Sequence, residues 1–592
     1  MCGIFGFWLD RPLNPGDLAR GRAGTGMLGH RGPDGAGEWY DSERGLYLGH
    51  RRLAIIDVSA RSDQPMVRGG NVIVFNGEIY NFSELRSELS AAGSRFDTTG
   101  DTEVLLAAWA EWGEVALDRF DGMFAFAMYD HDGLVLATDP FGEKPLYIAR
   151  TGDGIWFSSE PRPLIDLLGL EFKPDTEDIR LFLSLGFLPA PRTGYPGLEV
   201  MPPATVRRYD RKLAYKDRRY WKVPDNVEPG GSITSLTDRK VDDVAHELLV
   251  SLKRRLRSDV PIGLFLSSGV DSSLIAALCA RELGTTLNTY TVSFPDGADE
   301  APAARRIAAH LGLPHATIDS TVTPSDEPLP AQLVDLYGVP NDNVSGLSVR
   351  RMSMAARSHV TVALSGTGGD ELSFGYNKYQ FLWRRRGIYR LPKAPFRMAA
   401  LLPRALSALP FWKTAADYLA GNDTFRILAV KNGGFASELN AIAGGLPHLP
   451  LHGGDLVQAS RALDMEATLP GSYLAAVDRG SMRTGLEVRT PFLSRDVFTK
   501  AALIDSRSLV GLGQKALLHR ILKRYLPATL IENTKRGFVS PMQRYVSGLR
   551  EPPAKAWREG GSIRSLWDQR ENPAAGNILL RVDILRRLSS GA

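Results

Sequence analysis

Short apolar runs closed by small-residue turns divide the chain into two patterns. Near the amino terminus, Met1-Cys2-Gly3-Ile4-Phe5-Gly6-Phe7 reads as a strand, and Val72-Ile73-Val74-Phe75 as another that ends in Asn76-Gly77. Asp121 to Asp130 and Leu134 to Asp139 read as a sheet hairpin. Farther on, strands and helices alternate. Val260 to Leu266 is short and mostly apolar, as a buried parallel strand should be. Ser272 to Ala280 is rich in helix formers and is closed by Gly284. Leu287 to Phe294 reads as a strand, Glu300 to His310 as a helix, His315 to Ile318 as a strand, 347–357 as a helix and Val360 to Leu364 as a strand. That alternation predicts a parallel sheet covered by helices, with ligands beyond the carboxyl ends of its strands. Between 206 and 235 the pattern weakens, and Gly, Pro and Ser density marks a connection ahead of a helix at about 238–257.

Composition narrows the class without naming it. At 592 residues the chain has room for several domains, and 43% hydrophobic residues are ordinary for a globular protein. Basic residues number 71 against 67 acidic ones, so no nucleic-acid footprint is expected. Two cysteines exclude a disulfide scaffold. No uninterrupted apolar stretch of about twenty residues is present, and no membrane span is expected. Met1-Cys2-Gly3 runs straight into a folded pattern rather than a signal peptide, so a cytoplasmic enzyme is expected.

Two stretches carry chemistry. In Ser267-Ser268-Gly269-Val270-Asp271-Ser272 a strand meets a helix through small residues, which aims backbone N–H groups and a helix dipole at one spot. Such a spot holds phosphate, or it is an ordinary strand–helix turn packed with small residues. Asp271 adds a hard oxygen ligand suited to Mg²⁺. Ser365-Gly366-Thr367-Gly368-Gly369-Asp370-Glu371 repeats the device after the next strand, so Asp271 and Asp370 meet over one edge of the sheet. Together they make a site for Mg²⁺ and a nucleoside triphosphate, but neither turn fits the P-loop pattern. At the other end, loss of Met1 leaves Cys2 with a free α-amine, able to take the thiol proton at neutral pH. Asn76-Gly77 offers a side-chain amide and an unhindered N–H, the donors an oxyanion needs; the same pair is also a common hairpin turn. Arg51 and Arg52 precede an apolar strand, where a guanidinium can fork onto a carboxylate. Asp101, at a helix start, is a cap or a ligand for a substrate amine.

The segments Cys2-Gly3-Ile4-Phe5-Gly6, His30-Arg31-Gly32-Pro33-Asp34, Asn76-Gly77-Glu78-Ile79-Tyr80-Asn81, Gly122-Met123-Phe124-Ala125-Phe126 and Phe141-Gly142-Glu143-Lys144-Pro145 resemble a class II glutamine amidotransferase domain over residues 1–205. The resemblance implies an N-terminal-nucleophile hydrolase fold, an αββα sandwich. It implies that Cys2 attacks the glutamine amide, that Asn76 and the Gly77 N–H stabilise the oxyanion, and that Arg52, Asn76, Glu78 and Asp101 bind glutamine.

After a linker at 206–235, residues 236–592 are similar to the ATP-pyrophosphatase domain of asparagine synthetases, a parallel-sheet α/β fold with added helices. The matching segments are Leu266 to Ser273, Leu364 to Glu371, Asp478-Arg479-Gly480-Ser481-Met482, Leu486 to Leu493 and Lys535-Arg536-Gly537-Phe538. By that resemblance Ser267, Ser268, Gly269, Asp271 and Ser272 bind pyrophosphate, with Ser365 in the ATP-binding set. Leu266, Val292 and Gly366 line the adenine pocket. Asp271 and Asp370 hold Mg²⁺, and Lys535 neutralises charge on the α-phosphate. The implied reaction is glutamine-dependent, ATP-driven conversion of a carboxylate, foremost aspartate, to its amide through an acyl-adenylate; a homodimer is also implied.

The sequence departs from that pattern in places. Ser268 stands where a second glycine is usual, and Ser373-Phe374-Gly375 replaces Phe-Gly-Gly. Thr367 stands where asparagine synthetases usually carry a carboxylate, so another acceptor, such as a sugar uronate or a biosynthetic intermediate, is the second expectation. A third is a working glutaminase joined to a degraded, regulatory synthetase domain. The stretch 383–460 fits the pattern least; its basic residues make an added helical subdomain or a surface for a membrane-linked acceptor. No role follows for the tail, and Cys279 reads as a packing residue.

Overall fold

The computed structural model describes residues 2–225, 236–293, 300–319, 327–389, 423–432, 436–447, 449, 455–531, 545–546, 566, 569–570 and 572–590. Lys535, much of 383–460 and part of the tail lie outside the described residues, as does part of the connection after 225.

The nine residues of Gly122–Asp130 are all buried, and this strand explains the amino-terminal architecture. Successive side chains on a strand face opposite ways. Ala125, Ala127 and Tyr129 enter one apolar core, while Phe124, Phe126 and Met128 enter another. The neighbouring strand Asn71–Ile79 does likewise, sending Val72 and Val74 to the first core and Ile73 and Phe75 to the second. The first core lies between two six-stranded antiparallel sheets, contacting Ile4, Leu48 and Phe157 of the facing sheet. The second is closed by helices Phe82–Ala91 and Asp101–Trp112. On the outer face of the other sheet, Phe5, Phe7 and Tyr47 pack beneath helix Pro15–Met27 and helix Pro161–Leu168. The order is therefore helix, sheet, sheet, helix, the expected αββα sandwich. Each fully buried Phe contributes about 1.5–3 kcal/mol. The second sheet continues past residue 205, through Thr205–Tyr209 to Tyr215–Arg219.

The carboxyl-terminal part holds a five-stranded, all-parallel sheet in the order His315–Asp319, Asn288–Ser293, Ile262–Phe265, Val362–Leu364, Glu487–Arg489. Helices including Asp238–Arg255 and Val270–Arg281 share one large core with Leu264 and Leu364, and Val360, Ala363 and Val488 pack beneath the sheet's opposite side. The alternation read from sequence holds to within a few residues at every described element. No helix among the described residues is long and apolar enough to cross a membrane.

The two bodies share a broad apolar core, in which Leu181 to Leu188 pack with Leu329, Leu333 and Leu579, and a smaller apolar patch lies between their sheets. Leu53, Ile55, Tyr80 and Met123 of the first pack against Val362 and Met482 of the second.

Candidate functional site

Cys2 begins the strand Gly3–Leu9 and is 7% exposed. Its backbone N–H donates to Asn76 Oδ1 at 2.9 Å, and its sulfur lies 4.0 Å from the Leu53 carbonyl. Burial pushes the thiol above its ordinary pKa, against the pull of the amino terminus, so a base is needed to generate the nucleophile.

Asn76 and Gly77 do not form a hairpin turn. They sit inside a continuous strand, opposite Ala125 and Phe124. A side chain at Gly77 would place its Cβ 2.2 Å from the Met123 carbonyl, so only glycine fits. The Asn76 Nδ2 is buried with no hydrogen-bond partner among the described residues. An amide donor left unpaired in a dry site costs about 1–3 kcal/mol, and a developing oxyanion nearby would satisfy it.

Three carboxyls surround this corner. Asp101 sits in the first turn of its helix and accepts from the Ile79 N–H at 2.8 Å; it does not serve as the cap, which is Gly100. Burial raises it to about 6. Burial also pushes Glu78 well above the ordinary range, and the Asp101 and Glu487 charges push the same way. Glu487 belongs to the other body, at the edge of the parallel sheet. Burial would raise it too, but the amino terminus and the Arg489 guanidinium hold it down at about 2. Arg489 donates to Glu487 at 2.6 Å and approaches Glu78 at 3.7 Å. Arg52 bonds Asp63 at 2.6 Å and the Ser59 carbonyl at 2.8 Å, and also donates to the Asp57 carbonyl, which ties it to the loop after Asp57.

A buried ion pair also joins the bodies. Arg31, fully buried, donates to the Cys2 carbonyl at 3.0 Å, to Glu160 at 3.0 Å and to both oxygens of Asp478 at 2.9 Å. Asp478 lies on helix Ala475–Met482 of the carboxyl-terminal body. Sequence reading assigned no role to Arg31, Glu487 or Arg489.

A small-residue turn joins strand Ile262–Phe265 to the helix after it, as the sequence pattern suggests. Ser267 Oγ meets Ser272 Oγ at 2.9 Å and accepts from the Gly269 N–H at 3.2 Å, which closes the turn ahead of helix Val270–Arg281. Ser268 is buried. Leu266 accepts from the Thr291 hydroxyl at 2.5 Å, and Val292 continues that neighbouring strand. The second turn closes against the first: a Cβ on Gly366 would come within 2.7 Å of the Asp271 Cβ, and one on Gly369 within 2.7 Å of its carboxyl carbon. Ser365 and Thr367 pair through their hydroxyls at 3.0 Å.

Asp271 and Asp370 converge, and the group between them is Lys515. Its ammonium lies 2.5 Å from Asp271 and 3.0 Å from Asp370. Burial opposes its charge, but the two carboxylates raise its pKa overall. Lys515 takes φ +51°, a left-handed conformation that a non-glycine residue adopts only under constraint. Sequence reading missed it. Thr367, by contrast, presents only a neutral hydroxyl, while Glu371 is raised to about 7 by burial and accepts from Tyr376 at 2.5 Å.

Comparison with known proteins covers both bodies. The glutamine amidotransferase domain family matches residues 1–221 and the asparagine synthase family residues 243–587. Asparagine synthetase [glutamine-hydrolyzing] 1 of Bacillus subtilis is 31% identical over 92% of this chain and 88% of its own. The same organism's asparagine synthetase [glutamine-hydrolyzing] 3 is 32% identical over 64% of this chain and 63% of its own. Asparagine synthetase [glutamine-hydrolyzing] 2 of Oryza sativa is 33% identical over 64% and 60%.

Proposed function

Because the chain belongs to the glutamine-hydrolysing asparagine synthetase family, we propose that it converts aspartate to asparagine, using ammonia released from glutamine at Cys2. The reading is supported most by one juxtaposition: a buried thiol beside the unpaired Asn76 amide in one body, and two convergent aspartates at strand ends in the other.

The first reaction belongs to the antiparallel body. Removal of Met1 turns the Cys2 N–H into an amine, which takes the thiol proton. The thiolate attacks the glutamine carboxamide carbon, and Asn76 Nδ2 with the Gly77 N–H receives the oxyanion. The proton passes to the leaving ammonia, and water then releases glutamate from the thioester. Arg52 and the Glu78–Asp101 pair hold the carboxylate and ammonium ends of glutamine. Ammonia, uncharged and scarce in neutral water, crosses the apolar contact between the bodies.

The second reaction belongs to residues 236–592. The acceptor carboxylate attacks the α-phosphorus of ATP and displaces pyrophosphate, which the Ser267–Ser272 turn receives. Ammonia then attacks the acyl carbon, a proton is lost and AMP departs. Two carboxylates already gathered around an ammonium suit a hard divalent cation. Asp271 and Asp370 would hold Mg²⁺, which neutralises the triphosphate and the departing pyrophosphate. Lys515 brings a second positive charge to the same phosphates, and Lys535 is assigned to the α-phosphate. We place the reaction in the cytoplasm, where glutamine and ATP are supplied.

The hydroxyl pair of Ser365 and Thr367 favours a second reading, in which the acceptor is another carboxylic acid such as a sugar uronate, because no carboxylate stands at position 367 to accept the ammonia proton. Pyrophosphate release over a panel of carboxylic acids, with glutamine or ammonium chloride as nitrogen source, tests both. Aspartate turnover with equal AMP and pyrophosphate is expected. Glutamate release without pyrophosphate for any acid overturns synthesis altogether.

A further inference from the structure

Lys431, at the end of helix Asp423–Lys431, is a cation out of place. Its ammonium lies 5.5 Å from the ring of buried Phe187, and among the described residues no carboxylate comes within 4.0 Å of it. The two acids nearest in charge are already occupied. Asp464 binds Lys378 at 2.5 Å and the Tyr379 hydroxyl at 2.5 Å. Asp342 binds Arg581 at 2.6 Å. Burial lowers the Lys431 ammonium to about 8, and the like charge of Lys378 pushes it the same way. A largely desolvated cation with no carboxylate in contact, its nearest acids engaged by other cations, is costly unless a ligand supplies a counter-charge.

This lysine is tied to the ATP turn by one wall of side chains. Asp370 is followed by Glu371, whose carboxyl accepts from Tyr376 at 2.5 Å. The Tyr376 ring lies 5.8 Å from that of Tyr473 and 5.8 Å from that of Tyr379. Lys378 stands 5.1 Å over the Tyr376 ring and carries the wall to Asp464, whose charge reaches Lys431. Tyr473 lies on Asp464–Leu474, an 11-residue stretch wound as a π-helix, a geometry concentrated at functional sites.

We propose that Lys431, with Lys378 beside it, forms a subsite for a second anionic group on the acceptor, remote from the carboxylate that is adenylated. The inference rests on the reading that this chain adenylates a carboxylic acid, and it adds that the acid carries at least two negative charges. In aspartate the second anion is the α-carboxylate; in a sugar acid it is a phosphate on the anomeric oxygen.

Paired acceptors test it on the full chain, with Mg-ATP and ammonium chloride, reading pyrophosphate. Aspartate is set against β-alanine, which lacks the α-carboxylate, and galacturonate 1-phosphate against galacturonate. The wild type should favour the member with the extra anion by about 30-fold in kcat/KM in at least one pair, as expected for one charge-assisted contact. Lys431→Met should collapse that preference to about threefold or less, mainly through the acceptor KM, and Lys431→Arg should restore most of it. Melting midpoints show whether the variants fold, and Lys431→Gln replaces the methionine variant if it does not. A preference that survives in the folded Met or Gln variant overturns the subsite. So does a wild type indifferent to the second anion, although adenylation would then stand. Absence of pyrophosphate with every acid overturns both the subsite and the reading beneath it.

Discussion

Around Cys2 the polar groups are sealed: Asn76, Glu487 and Arg489 expose no surface at all. Around Asp271 the side chains of Asp271 and Lys515 retain 16% and 12% of theirs. The first site gathers its groups from both bodies and has one unpaired amide waiting; the second gathers small residues and two acids at the open end of a sheet. The difference fits what the proposed function has each site handle. A thioester and free ammonia are lost to bulk water, so their site has to be dry before the reaction starts. A triphosphate arrives with its charges solvated, so its site has to stay open and offset charge on arrival.

Several changes would break or sharpen that contrast. Cys2→Ala should lower glutamine-dependent pyrophosphate release on the order of 10⁴-fold while leaving ammonium chloride an effective nitrogen source; equal loss with both sources would show that the sites are not separate. Asp271→Asn and Lys515→Met should each cost about 10²–10³-fold with either nitrogen source, because the proposed function assigns both to the phosphates. Steady-state rates with glutamine and with ammonium chloride measure this, and a loss confined to glutamine would count against it. Asp478→Asn removes one partner of the buried Arg31 and should destabilise the chain by about 3 kcal/mol, read as a shift in the urea midpoint. It should also raise the glutamine KM, since Arg31 holds the Cys2 carbonyl.

The smallest effect is a pH dependence. Asp101 titrates near 6, above the ordinary carboxylate range, because it is buried. Below that value it gains a proton and loses the charge assigned to the glutamine ammonium. The glutamine KM should therefore rise as pH falls from 7 to 5, approaching about tenfold per unit at the acid end. Asp101→Asn should start with a raised KM and show a flat profile.

Local chemistry was legible in the sequence and distant chemistry was not. The alternating strands, the Ser267–Ser272 turn and the Asn76-Gly77 pair announce themselves within a few residues, because their geometry is set by neighbours along the chain. Asn76-Gly77 still admitted a hairpin, and only pairing with Phe124 and Ala125 settles it as strand interior. Lys515 meets Asp271 across 244 positions, and Arg31 meets Asp478 across 447. A single lysine before a short helix, or an arginine in a loop, has no local pattern that marks it; only the packing of whole elements selects its partner.

Arg31 also constrains how such a chain could be rearranged. A guanidinium that shares its protons among Cys2, Glu160 and Asp478 would be left partly bare if the carboxyl-terminal body were cut away or grafted from a distant relative lacking that acid. Domain swapping by recombination is thus penalised beside Cys2, so the two bodies should be inherited as a unit.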